Sequence, residues 1–118
     1  MSYVKGRLRS VGFALQGLYA LWATQPNVRI HAVATICVVA AGWYCQISRT
    51  DWLALVLAIA LVWVAEALNT GIEWAVDLAS PDHHPLAGKA KDVAAAGVLL
   101  ASMAAIVIGL LVFVPRLF

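Results

Sequence analysis

The stretch EALNTGIEWAVD, residues 66 to 77, places Glu66, Asn69, Glu73 and Asp77 at spacings of 3, 4 and 4. On an α-helix these four side chains fall within about 80° of one another. Carboxylates and an amide along one edge can take a proton from a hydroxyl, hold a divalent cation, or pair with basic groups from elsewhere. The setting narrows the choice. The preceding run, WLALVLAIALVWVA, is uncharged from Trp52 to Ala65. A charged side chain at mid-bilayer costs on the order of 2.5–3.5 kcal/mol on insertion scales, so an ionisable residue retained at such depth is a functional candidate.

A second polar segment follows at once. SPDHHPLAGKAKD, residues 80 to 92, brings His83, His84, Lys89 and Lys91 close to Glu73 and Asp77. Carboxylates that hold a metal, cations that neutralise phosphate and a base for an attacking hydroxyl are the parts that phosphoryl transfer from a nucleotide requires. No G-x-x-x-x-G-K-[ST] occurs, which excludes a P-loop. Adjacent histidines without a cysteine partner lack the spacing of a structural zinc site. The structural alternative is ion pairing of Glu73 or Asp77 with Arg29 or Lys91. It suits Glu66 less, because no basic residue in any span is expected at its depth. An unpaired carboxylate there needs a proton or a wet cleft.

These residues must be positioned by helices in lipid. The chain has 118 residues, one domain by length, with 64% hydrophobic and 12% charged residues and a mean hydropathy of +0.89. That is half the charged fraction of an average globular chain, about 25%, and too little to cover a water-soluble surface. Three spans are expected, at about 27–47, 52–77 and 91–114, each long enough to cross a hydrocarbon core as a helix. SRTD, residues 48 to 51, reads as a tight turn, and residues 80–91 as a longer polar loop. Trp63 falls mid-span and reads as packing.

With a cytoplasmic N-terminus, Lys5, Arg7, Arg9, Arg29, Lys89 and Lys91 lie inside and only Arg49 and Arg116 outside, in keeping with the positive-inside bias. Trp43 and Trp52 then mark the outer boundary, and Trp22 and Trp74 the inner one. Residues 5–24 place Leu8, Val11, Leu15, Leu18, Tyr19 and Trp22 on one helical face, with Lys5, Arg9 and Gln16 opposite. This periodicity predicts an amphipathic helix on the inner membrane surface; the lack of an A-x-A-like site argues against a cleaved signal. Cys37 and Cys45, about 12 Å apart in helical rise, are beyond disulfide reach.

The segment EALNTGIEWAVDLASPDHHPLAGKAKDVAAAGVLL closely resembles the signature of the small prokaryotic diacylglycerol kinase and undecaprenol kinase family, E-x-x-N-[ST]-x-I-E-x-x-V-D followed by a loop with histidine and A-K-D. TQPNVRIH, residues 24 to 31, resembles the family's lead into its first span. The resemblance covers nearly the whole chain. It implies a homotrimeric helical bundle in the bacterial inner membrane, with a surface helix and three transmembrane helices, transferring phosphate from Mg-ATP to diacylglycerol or undecaprenol. No nucleic-acid partner is expected. By position, Glu66 resembles the general base and Asn69 its support. Glu73 resembles a Mg²⁺ ligand at the ATP site, which would also include Asp82, His83, His84, Lys91 and Asp92. Trp22, Asn27, Arg29 and His31 would lie near the lipid substrate. One residue departs from the pattern: Gln25 stands where the family usually has a second, metal-binding glutamate, and brings no charge.

A different class of function, a proton-coupled carrier or an oligomeric scaffold, fits less well. A carrier of this kind is expected to show internal repeats and a broken helix. A scaffold has no need of lysines and histidines beside an acidic edge, although AAAG (94–97), Ala101, Ala104, Ala105 and Gly109 would suit close helix contact.

Overall fold

The computed structural model describes residues 2–118. Four helices account for almost all of them: α1 (Ser2–Thr24), α2 (Pro26–Cys45), α3 (Arg49–Ala79) and α4 (Pro85–Leu117). No strand occurs among the described residues. The three later helices are long and apolar enough to cross a membrane. An uninterrupted helix is the economical solution there, because it satisfies its own backbone hydrogen bonds where water is absent.

The helices differ in length. With 20, 31 and 33 residues, α2, α3 and α4 are about 30, 46 and 50 Å long. The principal pair is α3 with α4. It is antiparallel and tied at both ends. Arg116 Nη2 donates to Asp51 Oδ2 at 2.6 Å at one end, and Lys91 pairs with Asp77 at the other. α2 lies beside this hairpin, and α1 contacts α2 and α3. The molecule is a slab of 53 × 46 × 21 Å.

The helix ends differ from the sequence expectations. α1 begins at Ser2 rather than at residue 5. SRTD is not a turn. The reversal lies just before it, where Gln46 adopts a left-handed φ of 50° and its N–H and that of Ile47 return to carbonyls of the last turn of α2. Ser48 then caps α3, its hydroxyl accepting from the Asp51 N–H at 3.1 Å, so Arg49, Thr50 and Asp51 already form the first helical turn. Nor does the polar loop extend over residues 80–91. Pro85 opens α4 and His84 caps it, Nδ1 accepting from the Leu86 N–H at 3.1 Å. Only Ser80–His84 lies outside helix.

Burial within one chain is sparse. Ile47, Leu55 and Val112 form a small cluster at the α2–α3 turn, packed with Cys45, Trp52 and Phe113. Gly42 is buried there beneath Trp52, and a Cβ on it would stand 2.7 Å from the indole Cη2. Most other apolar side chains of the spans face outward, as a lipid solvent requires, Leu57 and Leu111 among them. On α1 only Leu21 is buried.

Trp63 does more than pack. Its Nε1–H donates to Thr35 Oγ1 of α2 at 3.0 Å, giving the indole a partner that lipid cannot supply.

Candidate functional site

The polar edge of α3 is built as its spacing requires, because the helix runs unbroken from Arg49 to Ala79. Glu66 is 3% exposed. With Asn69 and Glu73 it lines a cleft of about 430 Å³ closed by Asn27 and His31 of α2 and by Val98 and Ser102 of α4. The cleft is mixed in character. Ile30, Val98 and Leu99 give it apolar walls, and the α3 edge gives it acceptors.

Glu66 has a basic neighbour after all. His31 Nε2 lies 3.4 Å from Glu66 Oε2. This corrects the expectation that no basic residue reaches that depth. α2 starts at Pro26, well above the end of α3 at Ala79, and so carries His31 to the height of Glu66. Thr35, four residues on, donates its hydroxyl hydrogen to the His31 carbonyl at 2.7 Å.

One turn below Glu66, Asn69 Nδ2 donates to Glu73 Oε1 at 3.3 Å. Asn69 therefore braces Glu73 rather than Glu66. Its Oδ1 is buried with no hydrogen-bond partner among the described residues. An amide flip would instead turn this oxygen toward the Glu73 carboxylate, two acceptors facing each other, so the amide orientation is settled by its partner. An orphaned buried acceptor beside a carboxylate suits a hard cation. Among the described residues no group of three His, Cys, Asp or Glu side chains converges on a metal position. The oxygens that one chain offers are those of Glu73 and Asn69. Glu66 is seven residues from Glu73, about 10.5 Å along the axis, too far to share an ion at a coordination distance near 2 Å.

A second concavity, about 380 Å³, lies beyond the end of this edge. Asp77, Asp82, His83, His84 and Lys91 line it, with Gly88 beneath. Here the short Ser80–His84 connection brings the last turn of α3 against the first turns of α4. The loop is pinned by Ser80 Oγ donating to the Asp82 carbonyl at 2.8 Å. Lys91 is half-buried and paired with Asp77, the structural partnership that the sequence allowed. Asp92, next in the chain, is exposed and lines neither cavity.

The remaining candidates gather at the α1–α2 elbow. Arg29 donates Nε–H to the Trp22 carbonyl at 3.2 Å and stacks over its ring at 5.7 Å. Among the described residues it pairs with no carboxylate. Gln25 occupies the N-cap position of α2 without capping it; its Nε2 donates to Thr24 Oγ1 at 3.3 Å, and it lines neither cavity. Two residues in or beside the site were assigned no role from the sequence. Ser102 lines the cleft from α4, and its place as the single clearly polar residue between Val93 and Val114 was the available signal. Thr70, beside Asn69 but lining neither cavity, is 2% exposed with its hydroxyl unpartnered among the described residues; its place at the serine-or-threonine position of the E-x-x-N-[ST] signature was the available signal.

The arrangement thus consists of a buried carboxylate in a cleft with apolar walls, an acidic edge leading away from it, and a pocket of mixed charge, with Lys91 and two histidines beside Asp77 and Asp82, at the end of that edge. The family described as "Prokaryotic diacylglycerol kinase" matches residues 12–113. An undecaprenol kinase of Bacillus subtilis is 38% identical to the chain over 109 residues, 92% of this chain and 89% of the relative. A diacylglycerol kinase of Synechocystis is also 38% identical, over 93% of this chain but 63% of its own longer sequence. A diacylglycerol kinase of Escherichia coli is 30% identical over 85% of this chain and 82% of its own. With three membrane-length helices and a match over nearly all of its length, the chain belongs to the prokaryotic diacylglycerol kinase family of membrane lipid kinases.

Proposed function

We propose that the protein transfers the γ-phosphate of Mg-ATP to the hydroxyl of a membrane lipid, undecaprenol, at the inner face of the bacterial cytoplasmic membrane. The observation that carries this reading is the position of Glu66, buried at the cleft between α2, α3 and α4, with the acidic edge continuing toward the pocket that holds Lys91, His83 and His84. The similarity to the undecaprenol kinase over most of both chains supports the acceptor. A diacylglycerol acceptor is the second reading, favoured by relatives of that name.

In this scheme the isoprenoid tail stays in lipid and its terminal hydroxyl enters the cleft against Glu66. The carboxylate accepts the hydroxyl proton as the oxygen attacks the γ-phosphorus. The bond to the β-phosphate oxygen then breaks, giving the lipid phosphate and ADP. Glu73 and the free Oδ1 of Asn69 would hold the magnesium ion, whose chemistry is to neutralise and orient the phosphates. Lys91, Asp82, His83 and His84 form the nucleotide end, with Asp92 exposed next to Lys91 in the chain, and Lys91 exchanges its Asp77 partner for phosphate oxygen. Trp22, Asn27 and Arg29 border the lipid headgroup, and α1 lies on the inner surface. In one chain Ala95, Ala96, Gly97 and Ala104 of α4 stay exposed, small residues that suit close helix contact, which supports assembly as a homotrimer.

The test uses purified protein in mixed micelles, given Mg-ATP with undecaprenol or diacylglycerol in parallel. Phosphorylation of undecaprenol at the higher kcat/KM is expected. Glu66→Gln keeps shape and removes the base, so turnover should vanish while nucleotide binding persists. A near-wild-type rate for this variant refutes Glu66 as the base.

A further inference from the structure

Two tie points join α2 to α3, one turn apart on each helix. At the upper one, the Trp63 indole N–H donates to Thr35 Oγ1 at 3.0 Å. At the lower one, His31 Nε2 stands 3.4 Å from Glu66 Oε2. The two are linked covalently and by hydrogen bonding. Trp63 precedes Glu66 by three residues, and His31 precedes Thr35 by four. The Thr35 hydroxyl has one hydrogen, and it is committed to the His31 carbonyl at 2.7 Å. Toward Trp63 it can therefore only accept, which fixes the direction of the cross-helix bond.

Besides these two contacts, this end of α2 is held by apolar burial, Val28 foremost at 1% exposure. The buried cluster lies at the opposite end of the helix, around Ile47, Leu55 and Val112, and the sides of α2 carry outward apolar residues such as Val33 and Ile36. Apolar packing against lipid-like surfaces is non-directional and does not by itself set an axial register. A directed hydrogen bond in an apolar run does. A slip of one turn would move His31 about 5.4 Å along the axis and separate it from Glu66.

We propose that Trp63 and Thr35 are positioning residues that hold α2 in register, so that His31 fixes one oxygen of the Glu66 carboxylate and leaves the other aimed at the substrate hydroxyl. This rests on Glu66 being the base. The 3.4 Å separation is longer than a tight hydrogen bond; catalytic contacts of this kind shorten when substrate closes the site. Trp63 and Thr35 touch neither lipid hydroxyl nor nucleotide in this scheme. Their effect should therefore appear in turnover rather than in ATP affinity.

The experiment measures kcat, KM for ATP and thermal midpoint for Trp63→Phe, Thr35→Val, Thr35→Ser, His31→Leu and the Trp63→Phe/His31→Leu double variant, with Mg-ATP and the lipid that the wild-type protein accepts. Trp63→Phe keeps an aromatic ring and deletes the donor. It should lower kcat about tenfold, equivalent to about 1.4 kcal/mol of barrier, at unchanged KM for ATP. Thr35→Val should match it, and Thr35→Ser, which keeps the hydroxyl, should restore the rate. In the His31→Leu background Trp63→Phe should cost nothing further, because the register then has nothing to deliver. Wild-type kcat for Trp63→Phe, or additive losses in the double variant, overturns the proposal. If Trp63→Phe fails to fold, the threonine pair decides: a loss with Val restored by Ser supports it, and equal rates for Val and Ser overturn it. Glu66→Gln separates the two levels. If that variant is active the base reading falls; if it is dead while the Trp63 and Thr35 variants are wild type, only the register proposal falls.

Discussion

Gly42 offers a perturbation whose sign can be worked out in advance. It lies in α2 beneath Trp52, and a built Cβ stands 2.7 Å from Trp52 Cη2, 3.0 Å from Cζ2 and 3.2 Å from Ile47 Cδ1. Ordinary carbon contacts are about 3.5–4.0 Å. The methyl of Gly42→Ala therefore overlaps the indole by close to 1 Å. Trp52 packs with the buried Ile47, Leu55 and Val112 cluster and cannot swing away freely. Such overpacking costs about 1–3 kcal/mol. Against it stands the helix propensity of alanine over glycine, about 1 kcal/mol in favour of the variant. The overlap wins, leaving a net loss of about 1 kcal/mol and a fall in thermal midpoint of about 4 °C for a chain of this size. The two atoms met first belong to the six-membered ring of the indole, which Phe at position 52 does not reach. Trp52→Phe alone should destabilise by leaving a void. Adding Gly42→Ala in that background should then stabilise, by about the propensity difference. Thermal unfolding of the four proteins in one detergent reads out the cycle. The same sign for Gly42→Ala in both backgrounds refutes the reasoning, because overlap with the indole would not be the source of the cost.

Two further outcomes are expected. If Gln25 reaches the metal in the assembled protein, a magnesium titration of activity should show Gln25→Glu lowering the concentration for half-maximal rate, and Glu73→Gln should be close to inactive because it removes the proposed anionic ligand; no shift for Gln25→Glu would place Gln25 off the metal. Cross-linking in detergent should give three copies of the chain, and a stable, active monomer would contradict the trimeric site.

The spans and the polar edge were legible because both rest on one periodicity. An uninterrupted α3 turns the spacing of Glu66, Asn69, Glu73 and Asp77 directly into geometry. The helix ends were misjudged because polar residues were read as loop. Ser48 and Asp51 stand three residues apart, as N-cap and N3, and a polar side chain at either position satisfies helix N–H groups rather than ending the helix. Pro85 carried the same message for α4, since proline is at home in a first turn. The His31–Glu66 and Trp63–Thr35 contacts were out of reach for another reason. They depend on the axial offset between α2 and α3, which arises between the two helices and not from any pattern within either one.

The unequal helix lengths have a consequence for the lipid around the protein. α2, at about 30 Å, matches a typical hydrocarbon core, whereas α3 and α4 exceed it by about 15–20 Å. The short helix therefore sets where the bilayer sits, and the excess of the long pair must project beyond the acyl region. Glu66 is fixed to α3 and cannot follow the membrane as it thickens or thins. With Glu66 as the proposed base, acyl chain length becomes a variable of the reaction: it sets the height at which an incoming hydroxyl would meet the carboxylate. Membrane thickness acts on this protein as an adjustable focus, with the focal plane held by twenty residues of α2.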